Sequence, residues 1–278
     1  MGWKKFEPTV VSKIIPTKSG SGKTDIRKID RSELENYVKN GYEEGVKHTD
    51  SYFDSFSIQT TNGKLGRVGN FSMTPIDSCP KGVPCGGDCY AKKCYDQYPD
   101  CKEAWDKNFK LMKEHPDWLV SDMDMFFMTD GRKMDKFRWQ VSGDLIDANQ
   151  LLLVNQIARN NPNVTFWLYT KNIDLLHGFS PAKNLVVIIS AWNDWKLDEI
   201  EKLHKDFPVA YFDDWNHKDL FPKDEDAFIC PCADDKSEDV VDDRHCETCK
   251  THSERKGVTD THPCYMLQPG ESLIFRKH

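Results

Sequence analysis

The sequence predicts an α/β fold, either a partial parallel (βα) barrel or an open parallel sheet, that carries two cysteine-rich loops. Two runs, VTFWLYT and NLVVIIS, are almost wholly apolar, as expected for strands that are covered on both faces. Runs of this kind alternate with amphipathic stretches, which is typical of βαβ units. The ten cysteines fall in two tight groups outside the apolar runs.

The local signals justify each element in turn. A short apolar run ends at Met73, and Asp100 can cap a helix that Pro116 closes. FRWQVSGD reads as a strand that ends in a polar turn, and Asp147 can cap the helix after it, with Gln150 as the reciprocal half of a capping box. The remaining alternation is strand VTFWLYTKN, short helix IDLLHGF, strand NLVVIISAW, helix LDEIEKLHKDF and strand VAYFDD.

The composition indicates a folded protein with a substantial core. The chain has 278 residues, of which 38% are hydrophobic. Its net charge of -7 disfavours duplex nucleic acid as a partner. The N-terminus lacks the apolar core of a signal peptide, and no apolar run approaches the roughly 20 residues of a membrane span. We therefore expect a cytoplasmic protein without membrane association, acting on an unknown substrate or protein partner.

Three regions are predicted along the chain. Residues 1–50 form a polar N-terminal extension, and residues 51–225 form the parallel α/β core with the first cysteine loop. Residues 226–278 form a cysteine-rich segment that packs on this core.

The first cysteine group lies in CPKGVPCGGDCYAKKC and predicts a metal site. Its thiols belong to Cys79, Cys85, Cys89 and Cys94. A reducing compartment and tight clustering favour metal ligation over disulfides. Gly86 and Gly87 let the backbone fold around a metal. Gaps of five, three and four residues differ from the two-residue gaps common in zinc sites, so the spacing leaves zinc open but does not indicate it. The fifth cysteine, Cys101, reads as a buried apolar side chain.

The second group lies in CPCADDKSEDVVDDRHCETCKTH and the following HPCY. Cys246 and Cys249 form a CxxC pair, and with Cys230 and Cys264 they supply four thiolates. Four thiolates close either a tetrahedral zinc site or a four-cysteine cluster. Alternative ligands are Cys232, His245, His252 and His262. A redox-active dithiol is the competing interpretation of the CxxC pair.

Ligands of parallel α/β folds bind at the carboxyl ends of the strands. The polar or aromatic residues predicted there are Ser142, Gly143, Asp144, Thr170, Lys171, Ser190, Trp192, Asp213 and Asp214. Polar residues after a strand are also ordinary turn formers, so both a structural and a functional role are open for these residues.

The residues resemble those of a known family. The run NGKLGRVGNFSMTPIDSCPKGVPCGGDCYAKKCYDQYPDCKEAWDKNFKL resembles the opening of the phage gene product 88 family, and FRWQVSGD and GESLIFRKH look like its later motifs. By position, Cys79, Cys85 and Cys89 match the first cysteine group of the family, and Cys230, Cys246, Cys249 and Cys264 match its last. The resemblance implies that a phage or mobile element encodes the chain.

The first cysteine loop is also similar to that of radical S-adenosylmethionine enzymes, in which three thiolates hold a [4Fe-4S] cluster and the fourth iron binds the cofactor. This similarity implies a cluster on Cys79, Cys85 and Cys89, unless Cys94 closes it as a fourth ligand. The expected cofactor partners are Ser142, Gly143, Asp144, Thr170 and Lys171. The alternative is a non-catalytic protein, in which zinc or a cluster stabilises loops that bind a partner.

Overall fold

The structure is a computed structural model that describes residues 55–63, 65–192, 195–213, 228–230, 246–247, 249 and 262–276. The chain divides into two compact units, Met1–Phe56 and Ser57–His278. The predicted extension, residues 1–50, lies outside the described residues. Outside them too lie Cys232, His245, His252 and Asp214. The described strands and helices all belong to the second unit.

A seven-stranded sheet forms the centre of this unit. Its strands are β1 (Gly69–Asn70), β2 (Lys136–Arg138), β3 (Thr165–Thr170), β4 (Leu185–Trp192), β5 (Val209–Asp213), β6 (Phe228–Ile229) and β7 (Ser272–Arg276). Their order is β1-β2-β3-β4-β5-β7-β6, and every pairing between them is parallel. The prediction of an open parallel sheet is confirmed, and the described strands do not close into a barrel.

Five helices connect the strands within the described part of the chain. They are α1 (Tyr90–Gln97), α2 (Pro99–Glu114), α3 (Trp118–Met128), α4 (Ala148–Asn160) and α5 (Leu197–His204). Short 3₁₀ turns cover Pro84–Asp88, Ile173–Leu176 and Cys264–Met266. None of the described helices is long and apolar enough to cross a membrane.

Two predicted helix starts differ in detail from the structure. The N-cap of α2 is Tyr98, not Asp100, because Pro99 occupies the first helical position, where its missing N–H costs nothing. At α4, Asp147 caps as predicted and accepts a hydrogen bond from the Gln150 amide at 2.8 Å. The Gln150 side chain, however, accepts from the Ile146 amide at 2.9 Å, one residue before the expected partner.

The two faces of the sheet are covered by different parts of the chain. Because β1 to β5 follow one another in sheet order, right-handed crossovers put their connecting helices on one face. On that face Phe127 of α3 packs edge-on against Phe166 of β3. The other face carries Trp167 and Leu273, and Cys264 is buried with them. Cys230 and Cys264 are therefore buried on the face that the helices leave open.

Candidate metal and cofactor site

The first cysteine loop is fastened to the turn that follows β2. The Met73 amide donates to the Ser142 carbonyl at 3.0 Å, and the Ser142 hydroxyl donates to the Met73 carbonyl at 2.9 Å. The hydroxyl of Ser78, next to Cys79, donates to the Thr74 carbonyl and accepts from the Asp144 amide at 3.4 Å. The predicted strand-end residues Ser142 and Asp144 thus hold the loop against the edge of the sheet.

Gly143 is required where the loop meets the turn. Its φ of +79° lies in the left-handed region that favours glycine. A Cβ at this position would collide with the Ser78 hydroxyl and would lie 3.2 Å from the Met73 carbonyl oxygen. The glycine therefore sets how closely the cysteine loop approaches the sheet.

Asp144 joins the ends of β2 and β3. It is buried, and one carboxylate oxygen accepts from the Thr170 hydroxyl at 2.6 Å and from the Leu145 amide at 2.7 Å. The other oxygen accepts from the Lys171 amide at 2.8 Å. Burial raises the pKa of Asp144, while the Lys171 ammonium and these hydrogen bonds oppose the rise. The carboxylate is thus a fixed anchor for the strand ends beside the cysteine loop.

Two thiols of the first group share charged neighbours at this edge. Burial raises the pKa of Cys79 to about 12, and the Asp144 carboxylate adds to the rise. Burial also raises the pKa of Cys85, which the Lys171 ammonium lowers and the Cys89 thiol raises. At neutral pH Cys79 and Cys85 are therefore neutral thiols, and a metal must displace their protons to bind.

Cys94 lies in the helix that follows the loop. It is in α1, which starts directly after Cys89, and its carbonyl accepts from the Tyr98 amide at 2.9 Å. Burial raises the pKa of Cys101 in α2, and Cys94 contributes to the rise, so the two thiols lie near one another across the α1–α2 turn. Cys101 is half-buried, less than the prediction of a buried side chain implied.

The second cysteine group is brought together by tertiary contacts. Cys230 and Cys264 are buried in one apolar cluster with Trp167, and Cys246 and Cys249 pack against that cluster. Burial raises the pKa of Cys264 to about 12, with a further contribution from the Cys246 thiol. The four cysteines of the predicted second group, which are up to 34 residues apart in sequence, thus lie in one part of the fold.

Backbone contacts dock the CxxC pair onto the sheet. Between the two cysteines, the Glu247 amide donates to the Leu65 carbonyl at 3.0 Å, and the Glu247 carbonyl accepts from the Lys136 ammonium at 3.0 Å. The Tyr265 hydroxyl donates to the Cys249 carbonyl at 2.7 Å. His262, an alternative ligand in sequence terms, is instead paired with Glu271 at 2.7 Å.

Three polar residues near these groups were missed from sequence. Arg138 has a buried Nε, Tyr169 a buried hydroxyl and Gln140 a buried amide, and none of these atoms has a hydrogen-bond partner among the described residues. Gln140 also has a left-handed φ of +53°. The available signal for Arg138 and Gln140 was in FRWQ, where an arginine and a glutamine flank a tryptophan in a predicted strand.

Metal binding at either group stays a prediction. Within the described residues, no group of three or more His, Cys, Asp or Glu side chains is placed so that it could hold a metal ion. Uptake would require the thiols to lose their protons and to close around the metal.

Comparison with known proteins finds one family. The model of the family described as gene product 88 matches residues 33–266. No curated protein and no solved structure matches the chain.

Proposed function

The chain belongs to the gene product 88 family, and from that premise we propose that it is an iron-sulfur protein whose first cysteine group holds a [4Fe-4S] cluster. Cys79, Cys85 and Cys89 would bind three of the irons, as in the radical S-adenosylmethionine enzymes. One observation carries the proposal. The thiols of Cys79 and Cys85 share Asp144 and Lys171 as electrostatic neighbours at the carboxyl edge of a parallel sheet.

The donor set fits a cluster in its chemistry. Thiolates are the ligands of iron-sulfur clusters, and three of them leave one iron open to a small chelating ligand. The loop between the cysteines contains Gly86 and Gly87, and a Cβ added to either would meet no atom within 4 Å. The two glycines therefore have open space on the side where a Cβ would lie. When bound, the cluster would supply a Lewis-acid position and an electron to the cofactor.

The residues around the thiols suit the amino-acid part of S-adenosylmethionine. The Lys171 side chain lies near Cys79 and Cys85, where its ammonium would attract the cofactor carboxylate. Asp144 would not contact the cofactor itself, because its oxygens already accept hydrogen bonds from the Thr170 hydroxyl and from two backbone amides. We assign Asp144 and Thr170 to positioning the strand end that carries Lys171.

The test is anaerobic purification with iron, sulfide and zinc analysis, followed by electron paramagnetic resonance of the reduced protein. We expect a brown protein whose cluster signal changes when S-adenosylmethionine is added. Cys85→Ala should abolish the signal from the first loop, and Lys171→Met should weaken the response to the cofactor. Lys92→Met is the control, because Lys92 is exposed and pairs with Asp96 on the surface. Colourless protein with zinc and no sulfide would refute the proposal.

A non-catalytic metal protein is the second candidate. The observation that favours it is the second cysteine group, which is part of the apolar cluster on one face of the sheet. A closed four-thiolate site there would fasten the C-terminal segment and contribute to folding. This second candidate would be favoured if the cluster signal did not change on addition of S-adenosylmethionine and was lost in Cys94→Ala. The Cys94 thiolate would then bind the fourth iron and leave no open position.

A further inference from the structure

Two buried donors lie beside the second cysteine group without an acceptor. The Arg138 guanidinium stacks over the Tyr169 ring, 5.0 Å from its centroid. The Nε of Arg138 and the hydroxyl of Tyr169 are both buried, and neither has a hydrogen-bond partner among the described residues. Buried donors are nearly always satisfied, so an unpaired pair in contact calls for an acceptor.

The thiols are the acceptors that the fold puts within reach. Arg138 pairs in register with Trp167, so both side chains lie on the sheet face where Cys230 and Cys264 are buried. Tyr169, two residues further along β3, lies on the same face and packs against the apolar cluster that contains Cys264. The Cys264 thiol is next to the Tyr169 hydroxyl and, after burial, has the largest effect on its pKa, although the two do not form a hydrogen bond of good geometry.

Charge leads to the same acceptor. The Arg138 side chain is partly buried, its guanidinium stays protonated, and a nearby negative charge would stabilise it. Burial lowers the pKa of Arg138, and neighbouring tyrosines together with the Cys246 and Cys264 thiols raise it again. Four thiolates around Zn²⁺, or around a [4Fe-4S]²⁺ cluster, carry a net charge of about -2, which a cation would offset.

We infer that Arg138 and Tyr169 donate hydrogen bonds to the metal-bound thiolates of the second cysteine group and so determine how tightly it retains its metal. The inference rests on the proposed function only in taking these four thiols as a metal site, and it holds for iron or zinc. Arg138 and Tyr169 are positioning residues, because they act on the ligands and not on the metal.

The experiment measures zinc affinity of the full chain, reduced and metal-free, by competition with a chromophoric chelator. The background chain carries Cys79→Ala, Cys85→Ala, Cys89→Ala and Cys94→Ala together, so that the thiols of the first loop do not contribute. Tyr169→Phe removes one hydroxyl and keeps the ring. We expect it to weaken zinc binding about tenfold and Arg138→Met to weaken it about 100-fold, with Arg138→Lys in between. Tyr98→Phe and Arg159→Met, both at exposed positions, are the matched controls and should bind as the background does.

Comparing zinc affinity with the melting temperature of the metal-free chain separates a role in metal retention from a role in folding. Without zinc, Tyr169→Phe removes a buried hydroxyl beside the neutral Cys264 thiol, which is only a weak acceptor, so it should change the melting temperature little. Weaker zinc binding in a variant that folds at least as well supports the inference, even if Arg138→Met does not fold. Zinc binding by Tyr169→Phe equal to the background overturns the inference and leaves the proposed function standing. A background chain that binds neither zinc nor iron at these thiols overturns the second metal site, and the inference with it.

Discussion

Replacing Gly143 with alanine should loosen the first cysteine loop from the sheet. The residue has a φ of +79°, and an alanine in this left-handed region costs about 1–2 kcal/mol. Its Cβ would also collide with the Ser78 hydroxyl. To avoid it, Ser78 must give up its hydrogen bonds to Thr74 and Asp144, at a further cost of about 1–2 kcal/mol. The expected loss in free energy of unfolding is therefore about 2–4 kcal/mol.

Gly178→Ala is the matched control for this substitution. Gly178 has a similar φ of +72°, but a Cβ there would meet no atom within 4 Å. It should lose only the conformational part, about 1–2 kcal/mol. Urea unfolding of the reduced, metal-free proteins measures both losses, provided that the slopes of the transitions agree.

The collision predicts an effect on metal uptake as well. Ser78 precedes Cys79 directly, so Gly143→Ala should displace that thiol and reduce the iron bound at the first loop, whereas Gly178→Ala should bind as the parent chain does. If the two alanine variants were equally stable and bound equal iron, the close approach of loop and turn would not matter, and the reasoning would be wrong.

Three further predictions concern the thiols and their anchor. The pKa of Cys79, raised from 9.0 to about 12, means that its stabilising contribution is complete below pH 9 and is lost as the pH rises towards 12. Near pH ~10.5 the metal-free protein should have lost about 2 kcal/mol through this group, a loss that Cys79→Ala should remove from the stability-against-pH curve. Cys246→Ser and Cys249→Ser should each lower metal content and melting temperature, since closed thiolate sites contribute to folding; unchanged values in both would eliminate the second site. In Asp144→Asn, the new amide N–H₂ would face the Thr170 hydroxyl or the Lys171 amide, which now donate to the carboxylate. Urea unfolding should show a free energy of unfolding lower by about 2–3 kcal/mol. A change below about 0.5 kcal/mol would contradict the anchoring role.

Some of this arrangement could be predicted from the sequence alone, because the signals are local. The apolar runs of β3 and β4 predict buried parallel strands. Asp147 caps its helix as the spacing predicts. Ser142, Gly143 and Asp144 come after a strand that neighbours the one before the cysteine loop, and parallel strands bring such turns to one edge. The grouping of the cysteines is likewise visible in their spacing.

Other features depended on the tertiary structure. Strands β1 and β6 have two residues each, too few to show a period, so their existence and the insertion of β7 between β5 and β6 depend on contacts distant in sequence. Sequence spacing likewise does not reveal that Arg138 stacks on Tyr169 on the sheet face where Cys230 and Cys264 are buried. Buried polar groups find their partners across the fold, and only the packed chain shows which groups meet.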